Sequence, residues 1–208
     1  MKEMIAKCKE QVEAIYNQYD ASHDLDHIDR VMKNAEKILL TEPNADEWVV
    51  RLAVLLHDVE DAKYESVHEA TINEILKTIG AHDELIEKVV TVIESVSYNG
   101  GHAIDITSIE GAIVRDADRL DAIGAIGVAR TFAFGGARGR KLYDVEEEAR
   151  RTMSASEYRS KETASVTHFH EKLLLLKDLM VTKEGTRLAQ ERHDFMEIFL
   201  QQLKKEIE

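Results

Sequence analysis

The chain reads as an all-α protein, a helical bundle with additional helices towards the C-terminus. Three observations predict this. Apolar residues recur at helical three- and four-residue spacing through nearly all of the 208 residues. A single proline, Pro43, and a modest ten glycines leave room for long helices. No stretch of useful length alternates apolar and polar residues as a half-buried strand does.

The elements follow in order. Ile5, Cys8, Val12, Ile15 and Tyr19 place one apolar stripe on a first helix. A second starts near Asp24, with Asp24 or Ser22 as its N-cap, and carries Ile28, Val31, Ala35 and Ile38. TEPNAD, 41–46, closes it. A third covers 46–59, and its run Leu52–Leu56 is apolar on every face, as in a central, buried helix. Two amphipathic helices, 66–79 and 83–97, flank Gly80, and a loop follows at 98–101. One long helix is expected over 108–132, then a flexible basic loop, 135–141, and a polar segment, 144–162. Two long helices finish the chain, one with Val166, Phe169, Leu173, Leu176 and Met180, the other with Leu188, Phe195, Phe199 and Leu203. The organisation expected is a single domain over 1–208, with a core of about 20–135 and a C-terminal helical lobe of about 140–208.

Composition narrows the function classes. A 44% hydrophobic and 32% charged chain is ordinary for a globular protein in water. No apolar run nears the roughly 20 residues of a membrane span, and MKEMIAKCKE lacks the apolar centre of a signal peptide. The lone Cys8 can form no internal disulfide, which fits a cytoplasmic location. The net charge of −13 argues against duplex nucleic acid as a partner, because phosphate contacts dominate that affinity. A small anionic ligand stays open, since an ion and a few local cations can outweigh the global field.

The chemistry begins at Leu55-Leu56-His57-Asp58, a polar pair at the end of a buried apolar helix. Two such groups buried without partners would cost several kcal/mol. A divalent ion is one partner that imidazole and carboxylate share; a helix-end histidine followed by a turn is the plainer alternative. His27 opens an amphipathic helix. Asp116-Ala117-Asp118-Arg119-Leu120-Asp121 sets three carboxylates and a guanidinium in a largely apolar helix, with Asp118 and Asp121 on one face. His27, His57, Asp58 and Asp118 thus offer two nitrogens and two carboxylates, a set suited to a six-coordinate ion with room for water and substrate. Manganese, magnesium, iron, nickel and cobalt all fit; a closed zinc site fits less well without a thiolate.

The order His…His-Asp…Asp resembles the signature of the HD-domain superfamily of metal-dependent phosphohydrolases. HDLDHIDRV at 23–31, LLHDVEDAK at 55–63, IVRDADRLDAIGAIGVARTF at 113–132 and THFHEKLLLLKDLM at 167–180 resemble its bacterial YpgQ/YedJ-like branch. That resemblance implies an HD-type helical bundle, one divalent metal ion held by His27, His57, Asp58 and Asp118, and hydrolysis of phosphate esters or anhydrides. The branch resembles nucleotide pyrophosphohydrolases.

On that reading a metal-bound hydroxide attacks phosphorus. Asp61, three residues after Asp58, is expected to orient or deprotonate the water or to protonate the leaving group, with Glu60 as second candidate. Lys63 would stabilise phosphate charge. Arg30 and Arg119 could pair with a ligand carboxylate or touch phosphate; His23, Asp121, His168 and Lys172 complete the candidate substrate-contacting or supporting set. Arg138, Arg140 and Lys141 form either a lid over an anion or a plain solvent loop; without GxxxxGK[ST] and a preceding strand it is no Walker loop. Gly124 and Gly127, with Ala122, Ala125 and Ala129, read as close packing inside the long helix. His68, His82 and His102 leave a second metal open.

The expected activity is a metal-dependent (d)NTP pyrophosphohydrolase releasing pyrophosphate from a nucleotide. The alternatives are a nucleoside 5′-monophosphatase or other phosphomonoesterase, a non-catalytic nucleotide-sensing metal-binding module, and, least favoured, a helical scaffold. Partners are a nucleotide or phosphate ester, without membrane or duplex nucleic acid; a homodimer stays open.

Overall fold

The computed structural model describes residues 1–19, 23–60, 70–96, 106–150 and 163–207, all helix, turn or loop with no strand among them. Those up to 96 and 106–117 make one compact unit, and 118–207 make another.

The first unit is built around α3, Glu47–Leu56. Asp46 caps it by accepting from the amides of Trp48 and Val49. Val49, Val50 and Leu52–Leu56 are all buried, as the all-round apolar run predicts. α1, Lys2–Tyr16, α2, Leu25–Leu39, and α5, Asp83–Val96, each pack on α3. α1 turns Cys8, Val12, Ile15 and Tyr16 inward, and burial pushes the Cys8 thiol up to about 12. α2 starts at Asp24, whose carboxylate accepts from the His27 amide at 2.9 Å.

Two predicted spans shorten. α3 ends at Leu56 rather than 59, and 57–60 form a turn. The Tyr16 hydroxyl donates to the Leu55 carbonyl at 2.9 Å and the Tyr19 hydroxyl to the Val59 carbonyl at 3.2 Å, so both tyrosines grip the chain where the helix unwinds. α4 covers only Ile72–Thr78, not 66–79. Thr71 and Glu74 form a capping box, which fixes the start at Ile72. Residues 66–69 and the loop expected at 98–101 lie outside the described residues.

The long helix expected over 108–132 is two helices, α6, Ile109–Asp121, and α7, Gly124–Ala137. Ile123 is extended and Gly124 has φ +74°, a conformation that ends one helix and starts the next. A Cβ on Gly124 would also lie 2.9 Å from Arg192 Cγ, and one on Gly127 would lie 2.2 Å from the Ala122 carbonyl oxygen. These glycines serve the break, not the close packing of an unbroken helix; Ala125 and Ala129 are exposed.

In the second unit, α8, Ser165–Glu171, passes into a 3₁₀ helix, Leu173–Leu179, instead of continuing as one long helix. Lys172, at φ −140° and ψ −58°, ends α8. The tighter three-residue turn puts Leu173 and Leu176 on one buried face. α9, Lys183–Ile207, packs on α7 and on the 3₁₀ helix. Phe132, Phe169 and Phe199 meet in an aromatic cluster with centroids 5.9–6.1 Å apart. The basic loop begins only after Ala137. The polar stretch before residue 151 is anchored by charge: Arg150 makes three hydrogen bonds to Glu171, and Glu147 accepts from the Ala164 amide and the Thr167 hydroxyl.

Gly124→Ala should lower unfolding free energy by more than about 1 kcal/mol in urea denaturation, because alanine resists positive φ and Arg192 occupies the space. Gly136→Ala, with nothing within 4 Å of the added carbon, is the control and should be neutral or stabilising. Equal effects at the two positions would contradict the break.

Candidate metal centre

Three helices supply the donors. His27 lies in the first turn of α2, His57 caps the C-terminus of α3 and Asp118 lies in the last turn of α6. The 109–117 part of α6 belongs to the first unit, and the Asn34 side chain on α2 donates to the Ala117 carbonyl at 3.1 Å. Asn34 follows His27 by seven residues, two turns along one face of α2, and so fixes α6 one residue before Asp118.

His27, His57 and Asp118 each present a ligand atom within 4.8 Å of the others. Asp58 Oδ2 lies 3.4 Å from His27 Nε2 and 3.6 Å from His57 Nε2. Their side chains are nearly enclosed, at 1% exposure for His27, 3% for His57 and 14% for Asp58. Both separations exceed the ~2.9 Å of a well-formed N–H···O bond. They match donors sharing one ion: with bonds of about 2.0–2.2 Å, neighbouring ligands stand roughly 3.0–3.6 Å apart.

Tautomer chemistry tests the fit. His57 Nδ1 is 2.9 Å from the Val54 carbonyl oxygen, which can only accept, so Nδ1 carries the proton. In a neutral ring, Nε2 then turns a lone pair towards Asp58 Oδ2, a buried carboxylate oxygen without a hydrogen-bond donor. At low dielectric that contact is favourable when positive charge, from an ion or from an added proton, lies between the two groups. The donor set of two imidazoles and carboxylate therefore fits a divalent ion. Burial pushes the Asp58 carboxyl up, but the His57, His27 and His23 imidazoles outweigh it and hold the group well below the ordinary range.

The remaining candidates divide. His23 stacks edge-on to His27 with centroids 5.8 Å apart, which brings it to the cluster. Arg30 is half-buried on α2 one turn past His27. Arg119 donates to the Leu179 carbonyl at 2.7 Å, and Asp121 pairs with Arg130 at 2.7 Å, so both are engaged in structure of the second unit. His168 and Lys172 also lie in the second unit, and Lys172 stands at the end of α8 rather than within a longer helix. Glu60 accepts from the Ile72 amide at 2.9 Å, at the start of α4. Asp61, Lys63, His68 and His102 lie outside the described residues. The His82 ring faces the Leu85 amide at 3.3 Å, at the start of α5. Among the described residues no second group of three metal donors converges.

Sequence reasoning overlooked Asn34, Tyr16 and Tyr19. A buried asparagine seven residues after a candidate ligand was a readable signal. Tyr19 stood only as a member of the apolar stripe and Tyr16 beside it, and their hydroxyls' targets are 40 and 39 residues away.

The HD domain profile matches residues 24–123, which include all four expected ligands. YpgQ of Bacillus subtilis is 38% identical over 201 residues, covering 94% of this chain and 90% of YpgQ. The crystal structure of YpgQ in complex with ADP superposes with a TM-score of 0.76 at 34% identity, covering 98% and 97% of the two chains. An HD-superfamily hydrolase from Bacillus thuringiensis gives 0.75 at 36% identity and 99% and 97% coverage. A Lactobacillus plantarum protein gives 0.86 at 30% identity and 99% and 97% coverage. With its donors gathered from three helices in the order His…His-Asp…Asp and its likeness to YpgQ along nearly the whole length, the chain belongs to the HD-domain family.

Proposed function

We propose that this chain is a metal-dependent nucleotide phosphohydrolase that cleaves nucleoside triphosphates, deoxy forms included, and releases pyrophosphate. The observation that carries the reading is the buried Asp58 carboxylate set between the Nε2 atoms of His27 and His57, with Asp118 completing the donors. HD-family membership and the ADP bound by YpgQ favour a nucleotide as the substrate.

His27, His57, Asp58 and Asp118 would hold one divalent ion; manganese, magnesium, iron, nickel and cobalt all suit the set. When bound, such an ion makes water nucleophilic near neutral pH and draws charge from a phosphate. The protein's contribution is positional. The Val54 carbonyl fixes the His57 tautomer, and Asp24 and Asn34 set α2 and α6. His23 would border the substrate. Asp61 would hold the proton of the attacking water or of the leaving group, and Lys63 would meet the phosphate charge. A cytoplasmic setting is consistent with this substrate class.

Chelated protein should gain thermal stability when manganese is restored, by about 2.7 kcal/mol at one hundred times the dissociation constant. Asp58→Asn should abolish most of that gain and lower kcat at least about 100-fold. A full metal-dependent shift in Asp58→Asn would remove Asp58 from the ligand set.

Asp61→Asn should keep the metal-dependent stabilisation yet lose turnover by at least about 100-fold. Near-normal turnover would take Asp61 out of the reaction.

A manganese-supplemented nucleotide screen, with orthophosphate, pyrophosphate and triphosphate measured separately, tests the bond cleaved. Pyrophosphate from triphosphates is expected. Orthophosphate from monophosphates alone would establish the nucleoside monophosphatase instead, and no turnover with retained nucleotide binding would establish a sensor.

A further inference from the structure

α9 carries two rows of side chains. One row, Leu188, Ala189, His193 and Met196, is buried within the second unit. The other is Glu191, Phe195, Ile198, Gln202 and Lys205, which recur at spacings of four and three residues and so share one stripe of the helix. All five are exposed. Sequence periodicity groups Phe195 with Leu188, Phe199 and Leu203 as inward residues, but the structure leaves Phe195 44% exposed and Ile198 64% exposed. Two large apolar side chains at the middle of an otherwise polar stripe call for an occupant.

α7 extends this face. A Cβ on Gly124 would lie 2.9 Å from Arg192 Cγ, and the Phe132 and Phe199 rings stand 5.9 Å apart, so α7 and α9 run side by side in the same direction. Over that stretch α7 exposes Ala125, Ile126 and Ala129. Arg130 is the one charged residue in the sequence of α7, and its guanidinium is engaged by Asp121 at 2.7 Å.

The pattern of charge along α9 says what fits here. In a chain of net charge −13, most of the surface repels a second copy. This stripe instead has an acidic end, an apolar middle and a basic end. Glu191 and Lys205 lie seven residues before and after Ile198, two helical turns either way. Turned antiparallel against itself about Ile198, the stripe sets Glu191 against Lys205 of the second copy and Lys205 against Glu191 of the second copy. Phe195 and Ile198 are then enclosed between the two matched ends. A two-fold contact requires such a self-complementary patch. A parallel arrangement would set each charge against its own kind, which costs affinity.

We propose that two copies of this chain form a symmetric dimer by pairing their α9 helices antiparallel about Ile198, with the exposed row of α7 alongside. Ile198 and Phe195 supply the apolar contact, and Glu191 and Lys205 set its direction. The pairing does not depend on the metal reading, because none of these residues is among the metal donors.

Sedimentation equilibrium of the full-length protein from about 1 to 100 μM tests it. A concentration-dependent equilibrium between monomer and dimer is expected. Ile198→Glu, at an exposed position, should raise the dimer dissociation constant about tenfold or more, with circular dichroism unchanged. Glu191→Lys and Lys205→Glu should each raise it at least about threefold, because each sets like charges against each other. The two together should restore the dimer, since exchanging the ends keeps the antiparallel match. This charge series carries the test if Ile198→Glu does not fold. A monomer throughout the range would leave the face to a different partner and overturn the proposal. So would a dimer indifferent to Ile198→Glu, or a double variant that binds no more tightly than the single ones.

Discussion

One constraint organises the first unit: a carboxylate enclosed between two imidazoles. Asp58 is ionised in a place where burial alone would favour its neutral form. The His57, His27 and His23 imidazoles hold its carboxyl below the ordinary range, and the Val54 carbonyl takes the Nδ1 proton of His57. The C-terminal end of α3 adds its own partial negative charge at the same place. Such an arrangement is costly unless positive charge lies among the three groups. A divalent ion held among these groups would answer all of these demands together.

The surrounding structure holds the donors still. The Tyr16 hydroxyl donates to the Leu55 carbonyl in the last turn of α3, and the Tyr19 hydroxyl to the Val59 carbonyl in the turn that carries His57 and Asp58. The Asp24 carboxylate caps α2 through the His27 amide, so the N-cap and a candidate ligand are fixed by a single hydrogen bond. Asn34 ties α6 to α2 beside Asp118. Each support is a hydrogen bond to backbone, the group least able to drift, and each reaches the site from an element that also packs in the core. Rigid placement of this sort is what a metal site needs if its open positions are to stay open for water and substrate.

The second unit uses charge differently. Its interior holds Asp121 with Arg130 and Glu171 with Arg150, each a buried carboxylate paired with a guanidinium. Arg192 donates to the Leu120 carbonyl and packs where Gly124 lacks a side chain, so the break between α6 and α7 is filled by an arginine stem. Burial lowers the pKa of Arg192, and the Asp121 charge works against that.

The sequence by itself determined the helical class and the buried α3 and narrowed the N-cap of α2 to Asp24 or Ser22, because periodicity and capping are local properties. His27 and His57 were legible for the same reason: each sits at a helix end where an apolar pattern meets a polar exception. The motif also marked Asp58 and Asp118. Tertiary structure alone decided where helices stopped. The end of α3 depends on tyrosines some 39 residues away, and the break at Gly124 is filled by Arg192 from α9. It also showed what Asp121, which the sequence left among the supporting candidates, is engaged with. Asp118 presents a carboxylate oxygen beside the two imidazoles, while Asp121 pairs with Arg130 nine residues on, a partner the motif did not name. Local pattern specifies what a segment can be, while long-range hydrogen bonds and packing, invisible to any short window, settle what each polar group is for.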